Sequence, residues 1–383
     1  MSKTTTTKRM SNAEFKAMVN KKMGEGTIFS LEKEGEVVKV EPISTGIPSL
    51  DYALGIGGLP KGRIIEIYGP ESSGKTTISL KVIAAFQAST KYIPERQGLK
   101  TLFYDQEHAL DPVHAKALGV DISEETGMMV LQSNTGEEMY DSVLAMIQTG
   151  EIGLVVIDSV PSILPKAVIE ASAEDNHMAV AARLNGKMVP QIAKAAQEHG
   201  VLVIFINQIR GTMAMYGSPT DTPGGKAFKF YSSVRISVSR KEIKKGEVFL
   251  GQTIKCDIKK NKVARPFTKA EFDYYWDTGV DVQKDIMNVA MDMDIIKRAG
   301  AWYYLGEDSK NPSVDGAGNA LKWQGKEMVE AVLKQSPELY DYIYKIVLGI
   351  IPRDAQFVTV NDEDGVGVDD DAFEGQQNML EEA

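Results

Sequence analysis

The chain has 383 residues, 43% of them apolar and 25% charged, a composition that leaves room for one large α/β core with attachments and excludes wholesale disorder, collagen-like repeats and coiled-coil rods. One cysteine, Cys256, rules out a disulfide framework or a cysteine-cluster metal site, and His108, His114, His177 and His199 lack zinc-ligand spacing. The net charge of −10 averages three unlike parts: the first 23 residues carry six basic side chains against Glu14, the last 23 carry nine acids and no base, and the 360 residues before that tail sum to −1, so the acidic total does not argue against a nucleic-acid partner.

The opening MSKTTTTKRM is followed by no apolar stretch, and no apolar run in the chain approaches the ~20 residues that span a bilayer, so a cytoplasmic protein without a membrane partner is expected. Ser11-Asn12-Ala13-Glu14 reads as a capping box that starts a helix with Phe15, Met18, Val19 and Met23 on one face. That helix is too short to stand alone and must dock, on its own core or on a neighbouring subunit. From residue 44 to 282, short β-rich runs alternate with helical ones. Residues 63–68, 101–104, 154–157 and 201–206 are strand candidates, mostly continuous apolar runs of the kind buried on both faces. After 234–239 the runs 253–259 and 270–275 suggest antiparallel strands added at the sheet's edge. Residues 283–352 read as a small α+β unit, with β character at 295–296 and 302–305 and helices at 326–334 and 337–348. The expected division is therefore 1–43 (helix and linker), 44–282 (core), 283–352 (small domain) and 353–383 (disordered acidic tail).

Gly69, Pro70, Glu71, Ser72, Ser73, Gly74, Lys75 and Thr76 spell G-x-x-x-x-G-K-[ST] between the strand-like RIIEIY and the helix-like TTISLKVIAAF. Average composition yields that string in roughly one per cent of chains this long, and the strand–loop–helix setting is the one a phosphate cradle needs. Backbone N–H groups close round phosphate oxygens at a helix N-terminus. ATP is the expected cofactor, with Lys75 on the β- and γ-phosphates, the Thr76 hydroxyl on Mg²⁺ and Thr77 beside it. The apolar run 153–157 ends in Asp158, placed to reach the Mg²⁺ through water. The run 102–104 leads to Asp105, Gln106 and Glu107; a carboxylate at the C-terminal edge of a strand beside the phosphate loop can deprotonate an attacking water, and Asp105 and Glu107 compete for that role. The run 203–206 ends in Asn207 and Gln208, amides able to sense the γ-phosphate. Residues 209–226 follow without periodicity, as one long loop.

These blocks, with EHALDP, DSV, HMAVAARL, FINQIR, GGKAFKFY and KKNKVARPF in the same order, closely resemble the bacterial RecA recombinase family over residues 20–335. The resemblance implies an α/β fold: a RecA-type P-loop ATPase core with a mostly parallel central sheet, an N-terminal oligomerisation helix and a small C-terminal α+β domain. It implies an ATP-dependent recombinase that forms a helical filament of its own copies on single-stranded DNA. The filament searches duplex DNA for homology and exchanges strands in DNA repair and the SOS response, with a single-strand-binding protein and loaders as further partners. Glu107 becomes the catalytic glutamate, Gln208 the γ-phosphate sensor, and Lys260 and Lys262 the cations that reach a neighbouring subunit's ATP. Phe230 couples subunits, and the N-terminal helix docks on the next protomer. Asp111, His114 and Trp276 fall at the adenine. Loops at 170–178 and 210–225 hold DNA, with Met178 and Met213 wedging between bases and Arg183, Gly186, Arg210, Gly224, Gly225 and Lys226 on phosphates.

The departures are local. Pro190 replaces a DNA-binding arginine, and the second loop is one residue short. His114 and Trp276 stand where tyrosines are usual, and residues 89–97 look like an insertion. The divergence leans towards a phage-encoded copy. The acidic tail fits either solubility or competition with DNA for basic surface. A ring helicase, a small-molecule kinase and a non-catalytic filament protein are the alternatives; they lack, respectively, a large partner domain, an arginine-bearing lid and a reason to keep Glu107 with Lys75.

Overall fold

The structure, a computed structural model, describes residues 10–24, 40–171, 178–211, 220–315, 318–353 and 357, without the side chains of 178, 210, 211, 220 and 221. The N-terminal stretch up to Glu41 forms a unit separate from Pro42 onward. In it, Ser11 and Glu14 make the expected reciprocal capping box, with Ser11 N–H donating to Glu14 Oε2 at 2.8 Å, and the helix runs Asn12–Met23. Phe15, Met18 and Met23 are exposed.

The second unit is built on a nine-stranded sheet. Its strands lie in the order Gly279–Val280, Lys269–Tyr275, Val248–Asn261, Val234–Lys245, Ile64–Gly69, Leu202–Gln208, Ile152–Asp158, Lys100–Asp105 and Met129–Leu131. From Val234–Lys245 onward all neighbours are parallel, and the three before it are antiparallel. The apolar runs are continuous because each strand is covered twice. Leu154 and Val156 pack towards the helix Lys75–Ser89, while Val155 and Ile157 pack with Tyr140, Val143, Val189 and Ile192 from the helices Gly136–Gln148 and Met178–His199.

One expectation is corrected here. The strand leading to Glu107 is not beside the phosphate loop: Leu202–Gln208 and Ile152–Asp158 lie between them. The order of parallel strands is set by crossover packing, which a single strand's composition does not carry. The edge strand Met129–Leu131 is three residues long and half exposed, too little to produce a pattern. Val234–Lys245 runs six residues past its expected end, because Arg240, Lys241, Glu242, Lys244 and Lys245 project as an exposed hairpin that pairs with Val248–Asn261. The stretch 209–226 is closed at its base by antiparallel pairing of Arg210 with Asp221 and Gly211 with Thr220. Residues 89–97 carry a short 3-10 turn, Pro94–Arg96, anchored by the buried Arg96, which donates to Ser89 Oγ and the Pro42 carbonyl.

The C-terminal part has its own core of Ile286, Leu305, Trp323, Val329, Leu333 and Ile343. The helices Lys326–Gln335 and Pro337–Val347 are where the pattern puts them. The three-stranded sheet uses Lys297–Ala299, Trp302–Tyr304 and Lys322–Gln324, so the β run expected at 295–296 starts two residues later. The helix Val282–Asp292 ties this part to the core: Asp285 Oδ2 accepts from Ser49 N–H at 2.8 Å, and the nearby Asp51 carboxylate accepts from Ser44 and Thr45. Of the tail 353–383 only Arg353 and Phe357 are described, Phe357 in ring contact with Tyr342; the disorder expected of the tail otherwise lies outside the described residues.

Burial pushes both Asp51 and Asp285 up to about 7, and the Asp51 charge adds to the cost of ionising Asp285. A carboxyl whose value rises on folding adds stability that is complete below its unfolded value near 4 and is lost as pH rises through about 7. The melting temperature should therefore fall between about pH 5 and pH 8, and Asp285→Asn, which keeps an acceptor for Ser49, should fall less over the same range.

Candidate nucleotide and DNA site

The parallel strands Ile64–Gly69, Leu202–Gln208, Ile152–Asp158 and Lys100–Asp105 deliver their C-terminal ends to one edge of the sheet, and the chemistry gathers there. Ile64–Gly69 runs into the phosphate loop, where Ser72 takes a φ of 55° and Gly74 one of 96°. A Cβ at Gly74 would stand 2.6 Å from Ile254 Cδ1, so neither the conformation nor the space admits another residue. The loop opens the helix Lys75–Ser89 with its first N–H groups facing the cradle. Lys75 Nζ donates to the Pro70 carbonyl at 2.6 Å, folded over the loop it serves. Burial lowers its pKa, opposed by Asp158, Glu107 and Glu71. Ser73 Oγ is buried without a hydrogen-bond partner, a polar atom left over in the cradle.

Thr76 Oγ1 donates to Asp158 Oδ2 at 2.7 Å. Burial raises Asp158 to about 6, while the Thr76 bond and Lys75 favour its charged form. The two carboxylates that compete for the base role separate cleanly. Asp105 is buried, and its oxygens accept from Ala109 and Leu110 N–H, so it shapes the turn after its strand. Glu107 is exposed and points across the site: its Oε1 accepts from the Ser159 hydroxyl and from Gln208 Nε2 at 3.4 Å. The crossing is possible despite the two intervening strands because those strands end in Asp158-Ser159 and Gln208, the groups Glu107 meets.

Gln208 is held from behind by residues that motif reading missed. Glu66 is fully buried; it accepts from Asn207 Nδ2 at 2.9 Å and pairs with Arg235 Nε at 2.5 Å. Arg235 also lies over the Tyr68 ring. Asn207 Nδ2 further donates to the Pro223 carbonyl at 3.0 Å, tying the base of the second loop to the sheet. A charged residue in an apolar strand, Glu66 in RIIEIY, is the one trace this network leaves in the sequence.

Two strands along from the loop strand, Lys260 Nζ donates to the Lys229 and Phe230 carbonyls, and Lys262 Nζ to that of Phe230. Both lysines thus hold the C-terminal end of the short helix Ala227–Tyr231, from which the Phe230 ring projects into solvent. Burial, then Lys262 and Arg235, lower the Lys260 pKa. His114, Tyr274 and Trp276 form a row of edge-on rings with Tyr274 in the middle, at 6.2 and 5.5 Å between centroids. The Asp111 carboxylate caps the helix Pro112–Ala117 through Val113 N–H.

Of the expected DNA contacts, Gly224 and Gly225 pack against the helix that carries Arg183 and Gly186. Asn185 Nδ2 donates to the Gly224 carbonyl while its Oδ1 accepts from Tyr140, and a Cβ at Gly225 would crowd Ala182. Arg183, Gly186 and Lys226 are exposed on that surface. Pro190 lies inside the same helix, two turns along. Met213, the side chains of Met178 and Arg210, and most of both loops lie outside the described residues.

Residues 10–281 match the family model of the RecA N-terminal domain, and residues 284–350 that of the RecA C-terminal domain. The chain belongs to the RecA family. It is 42% identical over 338 residues to protein RecA of Clostridium novyi, covering 86% of this chain and 90% of that protein. It is 41% identical over 327 residues to protein RecA of Halalkalibacterium halodurans and to that of Bacillus anthracis, covering 85% of this chain and 87% and 88% of those proteins. All three are bacterial proteins, and nothing in them carries the leaning towards a phage-encoded copy. As a RecA family member the chain is an ATP-dependent recombinase and a DNA-dependent ATPase. The helicase, kinase and non-catalytic readings are set aside on that ground.

Removing one partner of the buried pair strands the other charge. Glu66→Ala should lower stability by about 3–5 kcal/mol, read by denaturant unfolding, and should loosen Asn207 and the loop base with it.

Proposed function

We propose that the edge formed by Lys75, Thr76, Asp158, Glu107 and Gln208 hydrolyses ATP while the surface carrying Arg183, Gly186, Gly224, Gly225 and Lys226 grips DNA, in a cytoplasmic recombinase working as a filament of its own copies. The observation that carries this reading is the meeting of Glu107 with Gln208 and Ser159 at the end of the phosphate loop's sheet edge. Residues Gly69 to Thr77 cradle the phosphates, and Ser73 Oγ is a donor waiting for one. Thr76 and Asp158, a hydroxyl and a carboxylate in contact beside that cradle, are the donor set Mg²⁺ takes together with phosphate oxygens and water. The cation, when bound, supplies positive charge against the charge that develops on the leaving phosphates.

Glu107 accepts the proton of the attacking water, and Lys75 neutralises charge on the β- and γ-phosphates. Gln208 turns from Glu107 to the γ-phosphate, and through Asn207 and Pro223 its movement reaches the second DNA loop. Lys260 and Lys262 leave the Phe230 carbonyl to neutralise the phosphates of the neighbouring subunit, in the manner of arginine fingers given in trans. Exposed Phe230 and the N-terminal helix face with Phe15, Met18 and Met23 cover apolar surface at that boundary. His114 and Trp276 line the adenine side with Tyr274 between them, and Asp111 sits at its mouth. Duplex DNA is the second substrate, and a single-strand-binding protein and loaders are the proposed accessory partners. Residues 1–43, 44–282 and 283–352 act as oligomerisation segment, ATPase and DNA core, and C-terminal domain; the acidic 353–383 competes with DNA for basic surface.

ATP hydrolysis measured with Mg²⁺ should rise strongly on adding single-stranded DNA and lose that stimulation as salt increases. Glu107→Gln should lower kcat by about a hundredfold or more while DNA binding persists; hydrolysis indifferent to DNA would contradict the assignment. Lys75→Ala and Lys260→Ala should each abolish hydrolysis alone, and mixing the two proteins should recover part of it, because an intact phosphate loop then meets an intact lysine across a subunit boundary.

A further inference from the structure

Among the described residues, both hydrogen bonds to Glu107 fall on the same oxygen, Oε1. The two donors differ in kind. Gln208 Nε2 is 3.4 Å away, half-buried, and in the proposed function turns from Glu107 to the γ-phosphate. The Ser159 hydroxyl makes the closer contact and is 1% exposed, directly after the rigid strand Ile152–Asp158. Glu107 itself is exposed, beyond the end of its strand and next to His108 in the left-handed region at φ 53°. Its own backbone therefore does little to fix its carboxylate.

We propose that Ser159 is a positioning residue for ATP hydrolysis: its hydroxyl anchors Oε1 of Glu107 so that Oε2 is turned to the attacking water. The proposal rests on Glu107 being the base. In the step it serves, Oε2 takes a proton from water, and the water oxygen forms its bond to the γ-phosphorus. The bond from that phosphorus to the β–γ bridging oxygen breaks, and its electron pair leaves on ADP. Asp158 and Ser159 are consecutive, so one dipeptide fixes the Thr76 side of the site with its first residue and the water side with its second. When Gln208 swings to the γ-phosphate, the serine remains as the anchor. The hydroxyl belongs to this role more than to packing: its only other described contact is Ser162 Oγ at 3.5 Å.

The test compares Ser159→Ala and Ser159→Thr in the full-length protein with Mg²⁺, ATP and saturating single-stranded DNA, in both the parent and Glu107→Gln backgrounds. Ser159→Ala should lower kcat about tenfold while the KM for ATP and the single-strand affinity stay within about twofold. Ser159→Thr, which keeps the hydroxyl, should recover most of the rate. In single turnover with Glu107→Gln, adding Ser159→Ala should cost nothing further, because the serine acts only through the glutamate. Parental kcat in Ser159→Ala overturns the proposal, as does a further loss in the Glu107→Gln background or a rise in KM that accounts for the defect. Ser159→Cys, close in volume and a weak donor, gives the same readout should the alanine variant melt early. If Glu107→Gln itself hydrolyses ATP at the parental rate, the base assignment fails; if it is inactive while Ser159→Ala is not impaired, only the serine's role fails.

Discussion

A parallel strand has its carboxyl end at the same edge as its neighbour's, and nearly everything in this protein follows from that constraint. The sheet's four central parallel strands are buried on both faces, so most of their side chains are committed to packing. Apart from groups paired inside the sheet such as Glu66, polar residues gather where these strands run out. Gly69, Asp105, Asp158 and Gln208 are each the last residue of a strand, and all four lie along one edge. Residues up to 139 positions apart in the chain are thereby brought to one edge without any of them being near the others in sequence.

How much could be read in advance depended on whether a feature is local. The phosphate loop, the capping box of Ser11 and Glu14, and the helices near 326 and 337 declare themselves in ten residues or fewer. The Glu66–Arg235 pair spans 169 positions and the Ser159–Glu107 bond 52. No spacing rule connects them, and a serine after an aspartate reads as an ordinary helix cap. Strand order failed for the same reason. Glu107 is singled out on the premise that its strand flanks the loop strand, whereas two strands intervene. Local sequence leaves Asp105 and Glu107 open and only the family resemblance favours Glu107; the turn hydrogen bonds that occupy Asp105 appear only in the folded backbone.

The charges divide between two economies. At the buried edge, Glu66 is fixed by Arg235 and Asn207, an arrangement in which every hydrogen bond restricts movement. At the junction with the C-terminal part, Asp51 and Asp285 are held by hydroxyl and N–H donors with no cation among their hydrogen-bond partners, and the junction is correspondingly sensitive to proton concentration. The first kind of charge gives precision, the second gives a seam.

The side chain of Asn207 joins Glu66 on one side to Pro223 on the other, while its backbone neighbour Gln208 reaches Glu107. Sensor and loop base are therefore separated by a single peptide unit backed by a fixed ion pair, a linkage with almost no slack. Such a joint behaves as a stiff lever: a displacement of the Gln208 amide cannot be absorbed by side-chain slop before it reaches Pro223. It also works in reverse, so in the proposed function a strand of DNA that repositions residues near Pro223 presses directly on the proposed sensor.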